Sequence, residues 1–158
     1  YWESPLVRIS DEMDNVRDYL ALMNLRFDYR VTLRAFLPED ILLLPIPKMT
    51  LQPIVENAVV HGIAELAQDA YLDLDMNVVE DGIHLTVTDY GKGMEAEAVK
   101  GLMDRLHGDL DARPGRSIGL KNVHDRISMA FGADYGLHIT SEKGVKTCVT
   151  VHLPGTFL

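Results

Sequence analysis

The chain is poor in the features that would give it a specialised home. Its one cysteine, Cys148, cannot close an internal disulfide; lying in an alternating stretch, it is expected to be a small buried apolar side chain, which suits a reducing cytoplasm. No apolar run approaches the roughly 20 residues that cross a bilayer, since the longest, Ile41 to Ile46, is interrupted by Pro45. No signal-peptide pattern opens the sequence, so a cytoplasmic domain without direct membrane contact is expected. Positive charge is scarce: 15 Lys and Arg against 24 Asp and Glu leave a net charge of −9. Nucleic-acid affinity depends on clustered cations that release counterions, so a nucleic-acid partner is excluded. An acidic protein can still bind an anionic ligand where local amides, cations or a metal overcome the general field. There is neither an internal repeat nor a low-complexity tract. What remains is a chain of 158 residues, 47% apolar and 25% charged, the composition of one folded soluble domain with one core.

Periodicity lays out the elements. Ser10, with Asp11 and Glu12 after it, is a helix start, and Met13, Val16, Tyr19, Leu20, Met23 and Phe27 continue at helical spacing. Tyr29 to Phe36 alternates as a strand that ends at Pro38-Glu39-Asp40, and a loop with Pro45 and Pro47 follows. From Met49 to about Leu66 a second helix is expected, with Leu51, Ile54, Val55, Ala58 and Val59 as its apolar stripe. Tyr71 to Val79 and Ile83 to Thr88 read as a hairpin turning at Glu80-Asp81-Gly82. A helix over Glu95 to His107, a Gly, Pro, Asp and Arg connection over Gly108 to Ser117, and a helix from Leu120 to Phe131 stopped by Gly132 come next. Two strands, Leu137 to Ser141 and Lys146 to Leu153, close the domain at Pro154. Helices mixed with two antiparallel hairpins predict an α+β two-layer sandwich, helices on one face of a mixed sheet, rather than a parallel doubly wound fold.

Three separated segments carry candidate chemistry. In LQPIVENAVVHG (51–62), Asn57 and His61 are four residues apart and about 40° apart in projection, so both can address one ligand. The Asn57 carbonyl is a hard neutral donor suited to Mg²⁺ that bridges nucleotide phosphates; on the helix alone, a bond to backbone is the simpler account. His61 can donate to a phosphate or pack against the following loop. Glu56 is about 100° around the helix from Asn57, which gives it a surface or supporting role. In DYGKGM (89–94), a carboxylate at a strand end, Asp89, can accept a hydrogen bond from the adenine amino group while Gly91 and Gly93 let backbone approach the base; an ordinary turn has the same composition. Met94 is placed to pack against the base. In GRSIGLKNVHDRI (115–127), Gly115 and Gly119 flank Arg116, Ser117 and Ile118 ahead of a helix that opens with Leu120, so free amides there can meet phosphate oxygens. Arg116 can screen phosphate charge or simply be solvated. Lys121 and Asn122 are weaker candidates, and Arg126 is read as structural.

In this order the three segments resemble the N, G1 and G2 boxes of the gyrase, heat-shock-90, histidine-kinase and mismatch-repair ATPase superfamily. The Pro-rich lead into VENAVVHG and the earlier EMDNVRDYLALMNLRF segment resemble the LytS-type sensor histidine kinases. The resemblance runs from about Ile9 to Pro154 and implies the Bergerat fold, with nucleotide between the helical layer and a lid. It implies Mg²⁺ on Asn57 and ATP bound by Asn57, His61, Asp89, Gly91, Gly93, Met94, Arg116, Ser117, Ile118, Gly119 and Leu120. Val60 stands where many related kinases have Lys, Tyr90 where Asn is commoner, and Ser117 where Gly is usual. Hydrolysing members carry a general-base Glu four residues before the Asn; here that position is Pro53, which favours transfer to an acceptor over hydrolysis.

The implied protein is a two-component sensor histidine kinase, a homodimer in an inner membrane that passes its phosphoryl group to a response regulator. Residues 1–27 would be the end of its dimerisation and linker helices, and 28–158 its ATP-binding catalytic domain. None of His61, His84, His107, His124, His138 and His152 has the neighbours of the family's phosphoacceptor, which is expected on upstream helices. The alternative is a degenerate nucleotide-sensing or protein-interaction module without kinase activity.

Overall fold

The structure, a computed structural model, describes residues 5–108 and 116–155, except for the side chains of Arg116 and Ser117. The order is β1 (Leu6–Arg8), α1 (Ile9–Arg26), β2 (Val31–Phe36), a 3-10 turn (Glu39–Leu43), β3 (Pro45–Pro47), α2 (Leu51–Asn57), a π-helical segment (Ala58–Ile63), β4 (Ala70–Val79), β5 (Gly82–Asp89), α3 (Ala96–His107), α4 (Arg116–Phe131), β6 (Gly136–Glu142) and β7 (Lys146–Leu153). Five strands form one sheet in the order β2-β4-β5-β7-β6. The β2 and β4 pair is parallel and the other three are antiparallel. This is the α+β sandwich expected, with a mixed, mainly antiparallel sheet.

Strand alternation sorts the two faces. Leu72, Leu74, Ile83, Leu85, Val87, Leu137, Ile139, Val149 and Val151 are buried on the inner face. Against them pack the helices, through Ile54, Val55 and Val59, Leu102 and Leu106, and Leu120, Val123 and Ile127. Each such side chain contributes about 1.5–3 kcal/mol by leaving water, an upper bound set by the unfolded reference. Helix α1 joins the same core through Ile9, Met13, Val16 and Leu20, spaced by three and four so that one stripe is buried.

Several boundaries differ from expectation, each for a local reason. Helix α1 starts at Ile9, and Ser10 is not its cap; the Arg8 amide donates to the Asp11 carboxylate at 3.1 Å instead. Two three-residue strands escape the periodicity, β1 and β3, which pair Leu6 with Pro47 and Arg8 with Pro45. Prolines suit such an edge because they have no ladder hydrogen to give. Cys148 is half-buried on the outer face, its Sγ 3.4 Å from Thr88 Oγ1, and so is not the core residue expected. The helix expected over 49–66 is α-helical only to Asn57 and then widens, with the Ala64 amide donating to the Val59 carbonyl at 2.7 Å. Pro53 lies in the first turn of α2, where its missing N–H would have no helical partner anyway.

The start of α2 is fixed from a distance. Glu12, fully buried in α1, accepts the amides of Met49, Thr50 and Leu51 at 3.1, 2.7 and 2.9 Å. A carboxylate there satisfies orphan donors and complements the helix dipole. Met49 has φ +64, an unusual conformation for a residue with a side chain. Its carbonyl accepts from the Arg126 guanidinium, which gives Arg126 the structural role read from the sequence.

Candidate functional site

The first two sequence segments meet in the structure. Asp89 ends β5 on the inner face, 2% exposed, and its Oδ1 accepts the Gly91 amide at 3.0 Å. The π-helical segment packs on this strand end. A Cβ on Gly62 would overlap the Asp89 carboxylate, and one on Gly91 would overlap the Gly62 backbone. Glycine is required at 91 because its backbone touches that of Gly62, and glycine at 62 leaves room for the Asp89 carboxylate. Gly62 was not among the expected site residues. The signal for it was a glycine inside a helical pattern directly after His61, a residue that weakens a helix and so calls for a packing reason. The widened turn is what sets Gly62 there, and π segments recur at functional sites.

Asn57 is the last residue of α2 and is 8% exposed. Its Oδ1 is buried without a hydrogen-bond partner; among the described residues only Arg105 Nε and Arg126 Nε share that condition. Arg126 has its other nitrogen engaged, whereas Asn57 Oδ1 is an acceptor. Leaving such an atom unmade costs about 1–3 kcal/mol, so its retention calls for an explanation. A divalent cation that keeps waters and phosphate oxygens around itself needs only one or two protein oxygens. The donor present therefore fits Mg²⁺, although among the described residues no cluster of three His, Cys, Asp or Glu could hold a metal by itself. His61 lies one turn on, half-buried in the π segment.

The loop beyond Asp89 is braced by the turn between β6 and β7. Gly93 has φ +67, and a Cβ there would overlap the Glu142 carbonyl. The Met94 amide donates to Ser141 Oγ at 2.8 Å, and the Gly144 amide to the Lys92 carbonyl at 2.6 Å. Ion pairs from Lys92 to Glu65 and from Lys143 to Glu95 lie outside these bonds; being exposed, they contribute little. Met94 is half-buried against the core. Glu56 accepts from Gln52 Nε2 at 3.0 Å along its own helix.

Tyr90 does not line the inner face. It turns to the opposite side of the sheet, where its hydroxyl donates to Asp73 Oδ2 at 2.6 Å. The third segment opens α4, which begins at Arg116 rather than Leu120. Ile118 and Gly119 are exposed in its first turn and Leu120 is buried; Gly115 and the side chains of Arg116 and Ser117 lie outside the described residues. Lys121 donates to the Gly108 carbonyl at 2.9 Å and pairs with Asp125 at 3.4 Å, while Asn122 is exposed.

A cavity of about 630 Å³ lies elsewhere, lined by His84, His107, His124, Tyr135, His138 and His152 among others. Its polar groups serve one another. His124 Nδ1 accepts the Leu137 amide at 2.9 Å, and His107 Nε2 donates to the Leu137 carbonyl at 3.0 Å. Burial, then the neighbouring His107, pushes the His124 pKa down, and burial followed by His152 does the same to His84. Volume alone does not make this the reactive site. The unsatisfied acceptor and the glycine contact are at the other end of the sheet.

The model of the histidine kinase-, DNA gyrase B-, and HSP90-like ATPases matches residues 47–156, a span that contains all three segments. The chain is 31% identical over 153 residues to the sensor histidine kinase YesM of Bacillus subtilis (strain 168), covering 96% of this chain and 25% of that one. It is 27% identical over 151 residues to the sensor protein kinase HptS of Staphylococcus aureus (strain USA300), covering 96% and 28%. It thus spans about a quarter of the length of these relatives. With the match over residues 47–156 and with its fold, the chain belongs to the histidine kinase-, DNA gyrase B-, and HSP90-like ATPase family, as an ATP-binding domain.

Proposed function

We propose that this domain presents Mg-ATP for phosphoryl transfer to a histidine outside its 158 residues, as the catalytic part of a two-component sensor histidine kinase. The observation that carries the reading is the buried, unpartnered Asn57 Oδ1 at the end of α2, on the helical segment whose Gly62 packs against Asp89 and Gly91. Asp89 accepts from the adenine amino group, with Gly91, Gly93 and Met94 forming the floor for the base. Asn57 supplies a cation ligand and His61 a donor toward phosphate. Arg116, Ser117, Ile118, Gly119 and Leu120 bring the amides and charge of the α4 start to the phosphate chain. When bound, Mg²⁺ would neutralise phosphate charge in a loose, largely dissociative transfer. The chain's own contribution is then position: a fixed base, a fixed phosphate chain and a γ-phosphorus turned outward to an incoming imidazole.

Pro53, where hydrolysing members have a base, supports transfer over hydrolysis. In the whole protein, residues 1–27 would continue from dimerisation helices that bear the acceptor, the parent would be a homodimeric inner-membrane sensor with this domain in the cytoplasm, and a response regulator would take the phosphoryl group. Among the described residues, no helix is long and apolar enough to cross a membrane.

Calorimetric titration with a non-hydrolysable ATP analogue, with and without Mg²⁺ and with GTP as competitor, tests the reading. Adenine-selective, Mg-strengthened binding is expected, with Asn57→Ala removing the Mg dependence and Asp89→Asn the adenine preference. Unchanged binding in both variants sinks the assignment of these residues. No binding by a folded sample favours the nucleotide-sensing or protein-interaction module instead.

A further inference from the structure

We propose that Asp73, together with Arg34, is a positioning residue of the nucleotide site, acting through Tyr90 on the turn from Asp89 to Gly91. The inference rests on the reading of Asp89 as the adenine acceptor and adds what holds that acceptor in place.

The geometry begins with the register. Asp89 pairs with Leu72 in the β4 and β5 ladder, and that is the ladder's last pair at this end. Tyr90 is therefore the first residue past the pairing, at the point where the backbone leaves the strand and enters the pocket turn. Alternation sends its side chain to the outer face, opposite that of Asp89. There the phenol donates to Asp73 Oδ2 at 2.6 Å. Asp73 in turn accepts from Arg34 Nε at 2.6 Å and from the second guanidinium nitrogen at 2.9 Å. Arg34 lies over the Tyr71 ring, 4.0 Å from its centroid.

One carboxylate thus ties β2, β4 and the residue beyond β5. Bonds to an ionised acceptor are the stronger kind, and a two-pronged guanidinium contact fixes orientation as well as distance. The ring beneath Arg34 adds a cation–π contact. Asp73 is 8% exposed. Burial alone would raise its pKa, but the bonds from Arg34 and Tyr90 and the charge of Arg34 outweigh it and hold the carboxyl below its ordinary range. The acceptor is therefore charged whenever the protein is near neutral pH. Tyr90 itself is 42% exposed, so packing does not hold it; the hydroxyl does.

Releasing the phenol frees rotation at the joint between Asp89 and Gly91. The Asp89 carboxylate is set by the Gly91 amide and the Gly62 backbone, and both depend on that joint. The consequence falls on base recognition rather than on the phosphate end of the site.

The test compares affinities of the 158-residue chain for a non-hydrolysable ATP analogue and its GTP counterpart, in wild type, Tyr90→Phe, Asp73→Asn, the double variant and Asp89→Asn, with melting curves to establish folding. A net hydrogen bond is worth roughly 0.5–1.5 kcal/mol, so Tyr90→Phe should lower the ATP over GTP preference about 3- to 10-fold. Asp73→Asn should lower it at least as much, and the double variant no further than Asp73→Asn alone, because the two act through one bond. A merely structural network would lower melting temperature and leave the preference intact. That result in folded Tyr90→Phe, whatever happens to Asp73→Asn, overturns the inference while leaving the adenine assignment standing if Asp89→Asn loses the preference. A wild type without adenine preference, or one unaltered by Asp89→Asn, overturns the assignment and this inference with it.

Discussion

The two ends of strand β5 treat polar groups in opposite ways. At the Gly82 end, the imidazoles are absorbed into the fold: His124 and His107 bracket Leu137, and His152 sets its ring nitrogens 3.0 Å from the Asp134 carbonyl and 3.0 Å from the Asp81 carboxylate. Tyr135 adds a bond to the Asp81 carbonyl at 3.0 Å. At the Asp89 end, an amide oxygen is buried without a partner and two backbones are brought together by glycines. Paired polar groups hold a structure, and on the reading proposed above the unpaired Asn57 Oδ1 holds a place for a cation. The comparison explains why a roomy cavity lined by histidines is the less informative end of the molecule.

The hardest blow to the Asp89 end would be a side chain at the glycine contact. Gly91→Val forces branched carbon into the Gly62 backbone, which cannot yield as a flexible side chain would. Overpacking of this sort costs about 1–3 kcal/mol or more, and we expect nucleotide binding to vanish in calorimetry along with a lower urea midpoint. Gly119→Ala is the control, since a Cβ there meets nothing within 4 Å. A glycine in a helix is worth up to about 1 kcal/mol less than alanine, so this variant should melt no lower than wild type.

The next pair sets the two ends directly against each other. His124→Ala strands the Leu137 amide and should cost about 1–3 kcal/mol in denaturant unfolding, with nucleotide affinity unaltered. Asn57→Leu removes an acceptor that already lacks a partner, so the loss of unfolding free energy should be near zero, or the sign reversed, while Mg-dependent binding disappears. If Asn57→Leu destabilises as His124→Ala does, Asn57 is an ordinary structural amide and the contrast between the ends fails.

The same contrast governs what could be read from the sequence. Elements with a strong period and a local stop were legible: α1, α3 and both hairpins lie within a residue or two of expectation. The parts that escaped depend on partners distant in the chain. Glu12 caps α2 from α1, so the residue that begins the helix gives no signal beside it. Strands β1 and β3 are too short to show a period. The widening after Asn57 accompanies the contact of Gly62 with Gly91, and helix periodicity describes a segment without its neighbours. At the site, Asn57 and Asp89 were legible as candidates only through the three segments taken together, since each alone has a simpler structural account. Tyr90, which stands where the family more often has Asn, faces Asp73 on the outer side of the sheet, since one step along a strand end reverses a side chain's direction.

The smallest effect expected is a pH dependence carried by the imidazoles at the Gly82 end. His124 accepts the Leu137 amide through Nδ1, which a proton on that nitrogen would abolish, and burial followed by His107 lowers its pKa in the fold; burial followed by His152 lowers that of His84. A group with a depressed folded pKa binds fewer protons folded than unfolded at any pH between the two values, so stability rises with pH across that window. The contribution is complete above the ordinary imidazole value of about 6.5 and is lost as pH falls from there through the lower folded values. Melting curves from pH 8 down to pH 5 should decline below about 6.5 in wild type. His124→Asn keeps an acceptor near the Leu137 amide without an imidazole proton, and should flatten the His124 share of the decline while Mg-dependent nucleotide binding at pH 8 stays as in wild type. A curve for His124→Asn that falls as steeply as wild type would assign the dependence to His84 or to carboxylates. A loss of binding at pH 8 in the same variant would mean that the two ends of β5 are energetically coupled after all.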